Sequence, residues 1–308
     1  MTEPLAVLEG GGELPASFWE LDMNNQLKLK SFVPLGMPFV FRNLHKTFNL
    51  FTMRKRGLVP IVYHMDFRSA LVPVAFGSQV QSEHAVKVCR YTPSGEDAAA
   101  GKDRERLLEE IRIQFRGRRS MGDKSQLGYD ERTGALEPLG TGRIVHVFTR
   151  PLAPPAERSV TELPPEMAHM QVHPWTEPYP TIDLLHETPP GFAPCDAGRW
   201  ARHDAVWGLP NTDVNQHVNV VEYLMAGENH FTRMLHGAGI DLARHQMTRL
   251  SLIFRKPFFP GDAYAMQGQL LREEENTLMT ATVHRLERDG GLDEKPAVGI
   301  RCEGTIPA

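Results

Sequence analysis

Cysteine is scarce in this chain: Cys89, Cys195 and Cys302 are the only three in 308 residues. They are odd in number and far apart. That excludes a disulfide framework or a Cys-rich zinc site and makes a reducing cytoplasm the expected compartment. A basic excess is missing too. Lys and Arg total 34 against 38 Asp and Glu, a formal net charge of −4, whereas nucleic-acid binders usually show the opposite balance. No apolar run suits a membrane span, since the best stretch, Phe32 to Met53, contains Arg42, His45, Lys46 and two prolines. The opening Met1-Thr2-Glu3-Pro4 lacks the basic start and apolar core of a secretory signal. No Gly-x-Ser-x-Gly elbow, phosphate loop or dinucleotide fingerprint occurs. His230 and His236 have no carboxylates or cysteines at metal-ligand spacing, so neither a metal nor a cofactor is expected. These absences describe a cytoplasmic globular protein with no nucleic-acid partner and no membrane span.

Proline, by contrast, is concentrated. Eleven of the 24 prolines fall between Pro151 and Pro194. Proline breaks helices and removes ladder donors, so 151–198 reads as an irregular linker wrapped along the surface. It separates a unit at 1–150 from a unit at 199–308. The second unit shows a short strand at Arg199–Val206, a turn at Trp207–Asn211, and helical spacing from Val218 to Leu235. Strand-like runs follow at Thr248–Phe254, Ala263–Arg272, Leu278–Leu286 and Ala297–Thr305, separated by Pro260-Gly261-Asp262, Glu273–Asn276 and Asp289-Gly290-Gly291. The first unit repeats that order. A strand is predicted at Phe18–Met23 and a helix over Phe39–Met53. Strands are predicted at Leu58–Phe67, Val74–Tyr91, Leu107–Arg116 and Arg143–Thr149. Asp22-Met-Asn24-Asn-Gln26 lies 191 positions before Asp213-Val-Asn215-Gln-His217, and Phe67-Arg68 lies 187 before Phe254-Arg255. A duplication with one small indel explains both intervals. The fold class is α+β: two units, each a long helix packed on a curled antiparallel sheet.

Five polar residues, Asp213, Asn215, Gln216, His217 and Asn219, crowd the start of the second predicted helix. Capping needs only one of them. The unpaired N–H groups of a first helical turn and the helix dipole favour negative charge there. A carboxylate beside them can attack, or can activate water, while the N–H groups stabilise an oxyanion. Asn215 can donate through its amide, and His217 can donate or shuttle a proton near neutral pH.

The run Asp213-Val-Asn-Gln-His217-Val-Asn219-Val-Val-Glu-Tyr223 resembles the signature of hotdog-fold thioesterases, closest to the acyl-carrier-protein thioesterases. Arg255-Lys256-Pro257-Phe-Phe-Pro-Gly261-Asp262 is similar to the turn leading into a later strand of that fold. The resemblance is specific over about 14 residues and topological over the first half. It implies two tandem hotdog units forming a pseudo-dimer in one chain, and hydrolysis of a fatty or polyketide acyl thioester of acyl carrier protein or coenzyme A. Asp213 would be the nucleophile or general base, aided by Asn215 and His217, with Asn219, Tyr223, Phe39 and Arg255 towards the substrate. It is compatible with a homodimer of such pseudo-dimers. A hotdog dehydratase or hydratase and a non-catalytic acyl-binding protein are the alternatives.

Three departures stand out. The resembled enzymes have a Glu on the strand after the helix, but Leu252–Pro257 has no carboxylate, so either another acid substitutes, from the first half among other sources, or Asp213 works without one. In the first half Gln26 and Lys28 replace His217 and Asn219. Pro34 and Pro38 there point to a helix starting at Pro38, away from Asp22. The first unit therefore reads as a degenerate partner whose Phe32, Phe39, Phe48, Phe51 and Met53 line an acyl tunnel, or equally an ordinary core. Arg54-Lys55-Arg56 and Arg116-Gly-Arg118-Arg119 are candidates for receiving an acidic carrier or phosphates, or simply solvated surface.

Overall fold

The computed structural model describes residues 5–93, 104–120, 133–154, 157–287 and 290–306. Met1 to Pro4, and Asp289 of the last expected turn, lie outside the described residues. The first half runs β1 (Leu8–Pro15), a long helix (Phe32–Thr47), β2 (Val59–Ser69), β3 (Gln79–Tyr91), β4 (Arg106–Ser120) and β5 (Thr133–Thr149). The second half runs β8 (Arg202–Val206), a long helix (Val220–Gly237), β9 (Gln246–Phe254), β10 (Ala263–Glu273), β11 (Asn276–Arg285) and β12 (Val298–Thr305). Between them the linker carries β6 (Val172–Pro174), a short helix (Ile182–Leu185) and β7 (Ala193–Cys195).

All twelve strands join one sheet in the order β1-β3-β4-β5-β2-β9-β12-β11-β10-β7, with β6 beside β3 and β8 beside β10. The order reads alike from either end, as a duplication requires. The halves meet where β2 pairs antiparallel with β9, from His64↔Ile253 to Arg68↔Arg249. Ser251 Oγ, 3.1 Å from His64 Nε2, donates to the Met65 carbonyl across this seam. Asp66 pairs with Arg249 at 2.5 Å.

Each long helix lays its apolar face on its own half of the sheet. Phe32 stacks on Phe115, with ring centroids 4.5 Å apart, and meets Phe67 edge-on. Gly36 lies over Phe115 and Ile113, and Gly227 lies over Ile300 and Leu250. These two glycines are again 191 positions apart, and in each half a missing side chain lets the helix approach the strands.

Three expectations are corrected. Phe18–Met23 is not a strand but a series of turns, and the first strand lies earlier, in the glycine-rich run Leu8–Pro15. Glycine there reads as turn composition, yet a Cβ at Gly12 would overlap the Phe39 ring and one at Gly10 the Asn43 amide, so helix packing demands it. The first long helix begins at Phe32, not near Pro38, and follows a single 3-10 turn at Leu29–Ser31. Pro34 falls in the first turn, where no N–H is needed, and Pro38 is accommodated on the exposed side. The helix then stops at Thr47, and a separate short helix, Leu50–Lys55, is capped by Asn49 accepting the Thr52 N–H at 3.0 Å. Among the proposed wall residues, Phe32, Phe48 and Met53 are buried, whereas Phe51 faces solvent against Lys55.

The linker lies along the outer face of the sheet. Tyr179 packs with Cys89, Tyr91, Leu108 and Val145, and Tyr63 donates to the Pro180 carbonyl at 2.8 Å. Further along, Arg301 of β12 donates to the carbonyls of Leu185 and Glu187. Among the described residues no helix is long and apolar enough to cross a membrane.

Candidate active site

Asp213 does not sit on the helix. It opens a tight loop closed by the bridge Thr212↔Val218, in which the Asp213 N–H donates to the His217 carbonyl and the Gln216 N–H to the Asp213 carbonyl. Gln216 takes a left-handed conformation, φ 65°, to close the turn. Asp213 Oδ1 accepts the Asn215 N–H at 2.7 Å, which fixes the carboxylate relative to the loop. Asn215 and His217 are exposed, and the His217 ring stands edge-on to Phe259 at 5.1 Å. Asp213 itself is half-buried.

The loop is clamped to the turn after β9. Val218 N–H donates to the Phe258 carbonyl, and Phe258 N–H donates back to the Tyr223 hydroxyl oxygen at 3.2 Å. Tyr223 is buried among Trp207, Phe254 and Phe258. Burial first, then the charges of Asp262 and Asp213, push its phenol up to about 12, against an opposing Phe258 hydrogen bond and Arg285. Its role is thus to hold the loop on the turn. Asp262, paired with Arg285 at 2.9 Å in the β9–β10 turn, is the second carboxylate whose charge acts on that hydroxyl. Glu222, in the first helical turn, accepts from the Asn211 amide at 2.7 Å.

Asn219 is the helix cap: its side chain accepts the Val221 N–H at 3.0 Å. The helix starts at Val220, two residues later than its spacing suggested, and one first-turn donor expected to face an oxyanion is already occupied. Phe39 lies over Gly12 and beside Arg42, on the first helix. Arg255 is exposed at the end of β9, and its charge is felt at Tyr63, on the linker-covered face. Among the described residues neither makes a hydrogen bond, ion pair or ring contact with the Asp213 loop. Arg54, Lys55 and Arg56 form an exposed helix end, and Arg119 of the second basic cluster pairs with Glu137 at 3.0 Å.

The first half repeats the loop bond for bond. Leu21↔Leu27 bridges, Asp22 N–H donates to the Gln26 carbonyl, Asn25 N–H to the Asp22 carbonyl, and Asn25 has φ 58°. The turn leading into its helix starts at Leu29, seven positions after Asp22, as Val220 is seven after Asp213. Two differences matter. Asp22 Oδ1 accepts two backbone N–H groups, from Asn24 and Gln26, where Asp213 accepts one. Asn24 and Gln26 are buried, whereas Asn215 and His217 are exposed. The better-tied carboxylate is in the closed loop and the freer one in the open loop.

Two acids, one half-buried and one buried, were not singled out by sequence pattern. Glu228, on the second long helix, reaches the first half and accepts the Lys30 N–H at 3.1 Å. Burial pushes its carboxyl up to about 7 despite that bond and the charges of Lys30 and Lys28. Glu109 Oε2 lies 2.6 Å from His146 Nδ1 between neighbouring strands, while its other oxygen is buried without a partner. Both stand in stretches that read as ordinary helix and strand; a charge at an apolar-face position was the only signal. Among the described residues no three His, Cys, Asp or Glu side chains gather to hold a metal.

No protein-family model matches this sequence, and no curated protein matches it. Solved structures do. The 12:0-ACP thioesterase from Umbellularia californica aligns over 97% of this chain and 95% of its own, with TM-score 0.61 and 13% identity. An acyl-ACP thioesterase from Bacteroides thetaiotaomicron aligns over 96% and 97%, with TM-score 0.57 and 11% identity. A Lactobacillus plantarum protein provisionally named an oleoyl thioesterase aligns over 97% and 96%, with TM-score 0.62 and 12% identity. The chain therefore has the double-hotdog fold over almost its whole length.

Proposed function

We propose that a chain with this double-hotdog fold is an acyl-thioester hydrolase acting on a fatty or polyketide acyl group carried by acyl carrier protein or coenzyme A. The observation that carries the proposal is the open loop: Asp213 is held by one backbone N–H beside an exposed Asn215 and His217, whereas in the duplicate loop Asp22 accepts two backbone N–H groups beside a buried Asn24 and Gln26, with no His. Whole-chain likeness to structures named acyl-ACP thioesterases supports the substrate class. Asp213 attacks the thioester carbonyl or draws a proton from water, and thiolate leaves readily. Asn215 and His217 orient the carbonyl or the water, and Asp262 is the acid nearest in role to the missing strand Glu. The first half supplies the apolar surface for the acyl group.

The test is Asp213→Asn assayed by thiol release on acyl-ACP and acyl-CoA. The side chain keeps an oxygen for the Asn215 N–H, so the fold should persist while turnover falls at least a hundredfold, roughly the loss seen when a positioned catalytic group is removed. Undiminished turnover would exclude Asp213.

A second reading has its own observation. Glu109–His146 is a His–carboxylate contact of the kind a dehydratase or hydratase needs. Hydration of an enoyl thioester, lost on His146→Ala and kept on Asp213→Asn, would favour it. Tight thioester binding with neither reaction would favour a non-catalytic acyl-binding protein.

A further inference from the structure

The linker crosses a polar cavity of about 250 Å³ on the outer face of the first half. Ile111, Ile113 and Phe115 of β4 belong to the main core, on the side where Gly36 of the first helix lies over Phe115. Alternation therefore turns Glu110 and Arg112 to the other side. There they line the cavity with Lys87 and Cys89 of β3 and Arg143 of β5, while Trp175 and Glu177 of the linker cover it. Glu110 and Cys89 are buried at its floor, whereas Arg112 and Glu177 are exposed, so the space communicates with solvent.

Its charges do not balance. Glu110 Oε1 accepts from Arg112 at 2.9 Å and from Arg143 at 2.6 Å. Glu177 accepts from the same two arginines, at 2.9 and 2.5 Å. Two guanidiniums thus consume both carboxylates. Lys87 forms no ion pair among the described residues, although Glu110 is its neighbour across the ladder. Burial, then the charge of Glu110, push the Cys89 thiol up to about 11 against Lys87, Arg143 and Arg112, so near neutral pH it adds no negative charge. A second donor is unmet: Trp175 Nε1–H is buried with no hydrogen-bond partner among the described residues. Arg143 stands over that indole, 5.0 Å from the ring centroid, and holds it in place.

The cavity is private to this half. With Phe67-Arg68 aligned on Phe254-Arg255, strand pairing carries Lys87, Glu110, Arg112 and Arg143 onto Gln269, Thr280, Thr282 and Gly299. Those four are uncharged, and Ile182 of the linker's short helix packs over Gly299. An apolar seal was available to this fold, and the first half has charges and an open space instead.

We propose that the cavity binds a small organic monocarboxylate. One uncompensated lysine matches one negative charge, and two leftover donors match the two oxygens of a carboxylate: Lys87 Nζ pairs with the group and Trp175 Nε1–H donates to it. A phosphate monoester, with about 1.5–2 negative charges near neutral pH, would exceed the positive charge that is left. The volume lies just below the roughly 300 Å³ at which small-molecule pockets begin. It suits an acid of a few carbons or a single ring and not a long acyl chain. Because Lys87 is on the sheet and Trp175 on the linker, the bound anion joins the two and stabilises the folded chain.

The test titrates acetate, propionate and benzoate, each beside its neutral amide, into the full chain and follows the four tryptophan indole N–H resonances by NMR. Trp175→Phe assigns the resonance of interest. At least one acid should shift it saturably, and the matching amide should not. Lys87→Met should weaken that binding about tenfold or more, whereas Lys87→Arg, which keeps the charge, should retain it. The same acid should raise the urea midpoint of the wild type and not that of Lys87→Met. A Trp175 resonance indifferent to all three acids, or an amide that binds as well as its acid, would overturn the site. So would inorganic phosphate binding more tightly than every acid, or Lys87→Met binding like the wild type. The comparison of acid with amide uses the unaltered chain, so it decides the matter even where Lys87→Met is unstable.

Discussion

Replacing Glu228 by glutamine tests how the two halves are joined. The carboxylate sits between them, accepts the Lys30 N–H at 3.1 Å, and faces Lys28, Lys30 and Asp22. Burial outweighs the bond and the two lysines, raising the pKa from 4.5 to about 7. The folded state therefore binds this proton more tightly than the unfolded chain. Stability from this group is complete below the unfolded value and is lost as pH rises through the folded one. At 1.36 kcal/mol per unit, the loss approaches roughly 3 kcal/mol by about pH 8. A glutamine side chain in its place would keep an oxygen for the Lys30 N–H and never ionise. Urea unfolding midpoints of the wild type and Glu228→Gln should thus agree near about pH 5 and diverge in favour of the variant towards about pH 8. Parallel pH profiles, or a variant weaker at every pH, would refute the reasoning.

Two further outcomes follow from the site. Asn219→Ala should lower stability by about 1 kcal/mol, the usual value of a helix N-cap, read as a shift in the urea midpoint, with thiol release falling far less than in Asp213→Asn. For the buried pair, Glu109→Leu alone should destabilise by about 3–5 kcal/mol because His146 loses its partner, whereas Glu109→Leu with His146→Leu should restore most of that. Equal destabilisation of single and double variants would show that the contact contributes nothing.

Much of the architecture was legible because it depends on local patterning. The turn residues that bound Ala263–Glu273 and the helical stripe from Val220 place those elements before any contact is known. The 191-residue interval between Asp22 and Asp213 also held, because two copies of one loop need the same left-handed fourth residue, Asn25 or Gln216. Errors came where packing overrides composition. The first strand was expected at Phe18–Met23, whereas Leu8–Pro15 forms it because Phe39 and Asn43 of the first helix lie across its glycines. Pro34 and Pro38 look like breakers until both are seen to face solvent.

Within the candidate site, the residue types of Asp213, Asn215 and His217 are a property of the chain, but that they form a compact loop ahead of the helix is seen only in the structure. Which copy of that loop would stay open was decided only by tertiary structure. In the first copy Asn24 and Gln26 are buried and the carboxylate is bound by two N–H groups, while in the second Asn215 and His217 are left exposed against Phe258 and Phe259. Glu228, Glu109 and His230 belong to the same lesson. A charge or an imidazole on an apolar stripe is visible in a sequence, but its burial and its surroundings exist only once distant segments close around it.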